Sequence, residues 1–172
     1  MLRTLLSVLA ALAASSATAQ SLRTIESWAH GSWLTATMVN TEADRRFCAA
    51  QATSDFDQVL RIVLYEDGDA FLEILDTTWD YVNGDPLRFN VIVDRDEWTV
   101  TGQGWDGVMS WDLVDPDARG DMLGRLSQGN RLDVRMPNRS RVAQFSLEGA
   151  GPAIAAAESC WDAIRAGGDY QP

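Results

Sequence analysis

Lysine is absent from this 172-residue chain, and all 14 of its basic residues are arginine. Histidine occurs once, at His30, and cysteine twice, at Cys48 and Cys160. Each scarcity excludes something. Two cysteines and one histidine make a poor zinc site. His30, in Trp28-Ala29-His30-Gly31-Ser32, has no G-x-S-x-G elbow to work with as the base of a serine nucleophile. Its place near the start of the expected mature chain suits a surface or capping role, in a stretch where order is often poor. Phosphate loops, dinucleotide fingerprints and zinc-protease motifs are also missing, and no cofactor is implied. Beyond the N-terminus no apolar run is long enough to span a bilayer. A formal charge of −11 repels phosphate backbones and anionic lipid. The densest basic clusters, Arg45-Arg46 and Arg135/Arg139/Arg141, form no stripe, so nucleic acid is disfavoured as a partner.

What is present begins with an export signal. Met1-Leu2-Arg3 is followed by an apolar run to Ala14, and Ala17-Thr18-Ala19 supplies small residues for a peptidase pocket. Residues 1–19 are expected to be cleaved, leaving one β-rich domain over 20–172, with no membrane insertion after cleavage and a periplasmic or secreted location. In an oxidising compartment an even pair of cysteines is most simply a disulfide. Cys48–Cys160 would close a loop of about 110 residues and contribute about 2–4 kcal/mol, tying an early strand to a C-terminal helix.

Period-two alternation marks most of the chain. Strands are expected at 33–39, 46–53, 59–65, 70–75, 87–93, 98–102, 108–113, 132–136 and 141–147. Glu66-Asp67-Gly68-Asp69 makes the clearest hairpin. Asp115-Pro116 caps and opens a helix that runs to Gly129. Ile154, Ala157, Trp161 and Ile164 form the apolar stripe of a second helix, ended by Gly167-Gly168, and the tail beyond is expected to be mobile. The fold class is mainly β with two late helices: an antiparallel sandwich or partly open barrel with a docked C-terminal helix.

Acidic clusters at Glu66/Asp67/Asp69, Asp94/Asp96/Glu97 and Asp115/Asp117/Asp121 lack the calcium-loop pattern and fall at turns or a helix start, so no metal is expected. Carboxylates for sugar hydrolysis are plentiful, but nothing sets their separation. Six of the seven tryptophans divide into two groups. Trp33, Trp98, Trp111 and Trp161 lie on apolar faces and read as core. Trp79 and Trp105 read as loop residues. Trp79, Asp80, Tyr81 and Asn83, with Trp105, mix aromatics with amides and acids, as suits a loop folded over one end of the core, a sugar site or a protein hot spot.

At the C-terminus, Phe145-Ser146-Leu147-Glu148-Gly149, then Ala153-Ile154 and Cys160-Trp161, resembles the closing strand and helix of small periplasmic proteins of proteobacteria. The invasion-associated locus B family ends in a similar way, as do some accessory proteins of type VI secretion systems. The resemblance covers about 20 residues and implies an envelope protein of β-rich fold, with no catalytic residues to carry over. The expectation is an exported, non-catalytic binding or accessory module whose partner is an envelope protein or glycan. A small carboxylate-dependent hydrolase of cell-wall glycan and a periplasmic immunity protein are the alternatives. If cleavage leaves Gln20 first and it cyclises, the mature protein has no free amine, and an amine-directed label should leave it unmodified. Strong labelling in intact-mass analysis would show the cleavage site or the cyclisation to be misassigned.

Overall fold

The computed structural model describes residues 22–170; the expected signal segment, 1–19, lies outside the described residues. The first five strands are β1 (Leu22–His30), β2 (Trp33–Asn40), β3 (Arg45–Thr53), β4 (Val59–Tyr65) and β5 (Ala70–Leu75). Next come β6 (Asp85–Val93), β7 (Asp96–Trp105) and β8 (Val108–Asp112), then helix α1 (Pro116–Gln128). Strands β9 (Arg131–Arg135) and β10 (Arg141–Ser146) and helix α2 (Ala150–Arg165) complete the chain. All ten strands form one antiparallel sheet in the order β1-β2-β3-β4-β5-β8-β7-β6-β9-β10, not closed into a barrel.

The alternation in sequence becomes the two faces of this sheet. Leu60, Ile62, Leu72, Ile74, Phe89, Val91, Met109, Trp111, Leu132 and Phe145 face inward and are buried. Helices α1 and α2 cover them, with Met122, Leu123 and Leu126 from α1 and Ala153, Ile154 and Ala157 from α2. The opposite, outer face carries a smaller cluster of Phe47, Ala49 and Val63, flanked by Leu22, Met38, Tyr65 and Phe71.

Alanines let α2 approach β2 and β3 closely. Ala153 and Ala157 on the helix meet Ala50 and Ala52 on the strand side, and all are buried. The Thr35 hydroxyl donates to the Ala153 carbonyl at 2.9 Å, and Thr37 Oγ1 lies 3.3 Å from Cys160 Sγ. Cys48 of β3 and Cys160 of α2 form the expected disulfide, fully buried, with Cα atoms 6.0 Å apart. The helix begins at Gly149, whose φ of +92° favours glycine. A Cβ there would run into the His30 carbonyl oxygen.

The sheet bends until its last strand returns beside the first hairpin. Side chains, rather than a backbone ladder, span the seam. Gln58 Nε2 donates to the Val142 carbonyl at 3.0 Å, and Trp33 Nε1 donates to the Ser146 carbonyl at 3.2 Å. The mainly β, antiparallel architecture with a docked C-terminal helix is as expected from sequence, and the sheet is not closed into a barrel.

Four expectations need correction. Strand β1 precedes the expected first strand, so His30 ends a strand and does not lie in a disordered lead. Arg23 to Ser27 are all exposed, and a register shift between Thr24 and Glu26 breaks the alternation that would have revealed the strand. Trp105 is the last residue of β7 and not a loop residue. Trp98 and Trp161 are only partly buried at the margin of the core. The Trp161 indole N–H donates to the Tyr65 carbonyl at 2.7 Å, and Arg119 and Arg165 stack on its ring, which keeps it near water. The tail is docked as far as Tyr170, which packs edge-on against Trp28 with ring centroids 5.0 Å apart. Arg46 holds it further, bonding the Ile164 and Gly168 carbonyls.

Replacing Cys48 and Cys160 together with alanine should lower the unfolding free energy by about 2–4 kcal/mol, because the bridge restricts a long loop of the unfolded chain. Urea titration of the oxidised wild type beside the double variant measures this.

Candidate functional site

A concavity of 580 Å³ crosses the outer face of the sheet. A twisted sheet is saddle-shaped, so one diagonal of its face is hollow. Here the hollow runs from the start of β1 to the β7–β8 hairpin. Its floor is set by the β4–β5 register, which places Arg61 opposite Glu73. Arg61 donates from Nε and Nη2 to Glu73 Oε2 at 2.9 and 2.7 Å. The two side chains are 11% and 16% exposed, so each neutralises the other where solvent hardly reaches. Beside them lies Tyr65, with the Arg45 guanidinium 4.1 Å from its ring centroid. Burial, reinforced by the charge of Glu73, raises the Tyr65 pKa and keeps its hydroxyl protonated.

Leu22, Asn40 and Glu42 form one rim. The Asn40 carboxamide oxygen accepts from the Glu42 and Ala43 backbone N–H groups, both at 3.1 Å, so Glu42 sits on a fixed turn. Trp105, Asp106, Val108 and Asn83 form the other. Trp105 pairs with Val108 across a tight turn in which Gly107 takes φ +71°. Trp105 is 41% exposed, whereas Trp33 and Trp111 are 1% and 4% exposed.

Segment 76–84 is stitched to this hairpin. The Gly107 N–H donates to the Trp79 carbonyl at 3.1 Å, the Gly84 N–H to the Gly104 carbonyl at 2.9 Å, and the Asp106 N–H to Asn83 Oδ1 at 3.4 Å. The five residues singled out from sequence therefore part company. Asn83 and Trp105 reach the groove. Trp79 turns inward and packs on the core, with Tyr81 edge-on to it at 5.7 Å. Tyr81 lies over Gly104, where a Cβ would be 2.8 Å from its ring. Asp80 is exposed and lines no part of the groove. Sequence reasoning missed Leu22, Asn40, Glu42, Arg61, Tyr65, Glu73, Asp106 and Val108. The Asp67-Gly68 turn offered one signal, since the register it sets already places Arg61 across from Glu73.

The acidic clusters have structural partners. Asp67 and Asp69 pair with Arg45, and Asp115 caps α1 through the Asp117 and Ala118 N–H groups. Asp94 accepts from the Asn130 and Arg131 backbones, Asp96 pairs with Arg125, and Glu97 pairs with Arg139. Among the described residues no group of three or more His, Cys, Asp or Glu could hold a metal ion. Among them, too, no helix is long and apolar enough to cross a membrane.

No family model matches the chain, and no curated protein or solved structure matches it either. Function has to be argued from the site itself.

Asp76 anchors segment 76–84. The Thr78 hydroxyl bonds it at 2.6 Å, and the Thr78 N–H and the Gln58 amide add to this, so its pKa lies below the ordinary carboxylate range. A lowered folded-state pKa gives stability that is present above the unfolded value and lost as pH falls through the folded one. Asp76→Ala should cost about 1 kcal/mol at neutral pH, the net worth of screened hydrogen bonds. The gap to wild type should shrink as pH falls through the acid range, as thermal unfolding at a series of pH values would record.

Proposed function

We propose that this is an exported, non-catalytic envelope protein, a binding or accessory module whose working surface is the groove beside Trp105. Trp105 carries the argument. A tryptophan 41% exposed at the rim of a 580 Å³ concavity is surface that folding left uncovered. That volume lies within the roughly 300–1,000 Å³ typical of ligand pockets. The buried disulfide suits an oxidising compartment such as the periplasm, and so does the expected signal segment. The C-terminal likeness to small periplasmic proteins points the same way. Phe145 and Leu147 are core residues there, Gly149 is the turn and Cys160 bears the bridge, so the likeness speaks for architecture and location rather than chemistry.

Affinity capture from envelope extract tests this reading, with protein and saccharide fractions both analysed. The wild type and Val114→Ala should retain the same component. Val114 is 75% exposed and lines no part of the groove. Trp105→Ala should retain it about tenfold less, which corresponds to about 1.4 kcal/mol. Equal recovery on wild type and Trp105→Ala, or recovery on neither, would overturn the reading.

A further inference from the structure

The lining of the groove narrows the class of ligand. We infer that it binds a neutral oligosaccharide, with one sugar ring stacked on Trp105 and hydroxyls bonded to the amides and carboxylates of the two rims. This rests on the binding-module reading above and goes further by naming the chemistry.

Charge is the first constraint. Among the described residues Arg61 is the one basic residue lining the groove, and Glu73 already holds it through two hydrogen bonds. Glu42 and Asp106 add negative charge at the rims, and neither forms an ion pair among the described residues. An anionic ligand, whether phosphate, uronate or nucleic acid, would meet net repulsion and no free guanidinium.

Hydrogen-bonding character is the second. The Asn40 and Asn83 carboxamide oxygens accept backbone N–H groups, so each amide presents its N–H donors to a ligand. Glu42 and Asp106 offer acceptors, and the protonated Tyr65 hydroxyl offers both. A polyamine, which has donors only, would use the carboxylates but leave the amide donors facing cationic groups. A sugar hydroxyl is both donor and acceptor, so neighbouring hydroxyls can use an amide and a carboxylate together.

The aromatic surface is the third. Trp105 stands at the edge of a hollow and not inside a closed pocket. A flat apolar ring beside polar groups suits the C–H face of a pyranose, and Val108 and Leu22 extend that apolar surface at the two ends. The groove runs diagonally across several strands, which fits a chain of sugar units better than a single one.

The test is titration of ¹⁵N-labelled full-length mature protein with cellotetraose, maltotetraose and chitotetraose, followed by NMR. At least one sugar should give saturable shifts at the Trp105 indole N–H and at the amides of Asn83, Glu42 and Arg61. Trp105→Ala should weaken binding about tenfold, while Trp105→Phe, which keeps a ring face, should weaken it less. A matching melting temperature for each variant and wild type would show that the fold is intact. Absence of groove shifts with every sugar at millimolar concentration overturns the inference, and so do shifts centred elsewhere. An arginine-rich peptide that saturates the groove where no sugar does also overturns it. If sugars fail while capture of an envelope component still depends on Trp105, only the ligand class falls. If that capture fails too, the binding-module reading falls with it.

Discussion

Helix α2 lies so close to β2 that the Thr35 hydroxyl reaches the Ala153 carbonyl at 2.9 Å, and much of the architecture depends on that approach. Only small side chains permit it. Ala150, Ala153 and Ala157 on the helix and Ala50 and Ala52 on β3 are buried, and each substitution by a larger residue would push the layers apart. The disulfide locks the same interface at the far end of the helix, and Gly149 admits the chain at the near end by passing against the His30 carbonyl. With α2 seated, the inward faces of β2 to β4 are covered, and the C-terminal tail can be held by Arg46 and Trp28.

Covering one face and bending the sheet creates a second problem, because an open sheet has two edges that invite pairing with other chains. The two edges are handled differently. On β10, Gln58 and Trp33 occupy two carbonyls, so the seam is spanned by side chains where a backbone ladder would have closed a barrel. On β1, a register shift at Thr24/Glu26 disrupts a regular edge, and Tyr170 packs beside it on Trp28. Strand β1 therefore has few inward contacts of its own, and its sequence carries little alternation.

The groove follows from the twist of the sheet and not from any local motif. Arg61 and Glu73 meet because the hairpin turn fixes their register. Trp105 and Asn83 meet because segment 76–84 is bonded to the β7–β8 hairpin. Leu22 and Glu42 join them only because the outer face is hollow along one diagonal. Sequence reasoning located two rim residues, since an aromatic among amides and acids stands out locally. It grouped them with Trp79, which packs on the core, and Tyr81, which packs on Trp79 and over Gly104. Composition cannot tell which side of a loop faces inward, because that depends on where the neighbouring hairpin lies.

By itself the sequence determined the things that depend on near neighbours along the chain. These are the alternation that makes the strands, the turn residues that fix hairpin registers, the Asp115-Pro116 start of α1, and the apolar stripe of α2. Parity and the expected compartment pointed to the disulfide as well. Tertiary structure decided what depends on distant segments meeting: the strand order β5-β8-β7-β6-β9, the seam spanned by Gln58 and Trp33, the exposure of Trp105 and the gathering of ten residues from six strands and the loops between strands into one groove. The physical reason is range. Backbone hydrogen bonding and side-chain periodicity act over a few residues and leave a trace in the sequence. The curvature of a ten-stranded sheet arises from the sum of all its strand pairings, and no short segment encodes it.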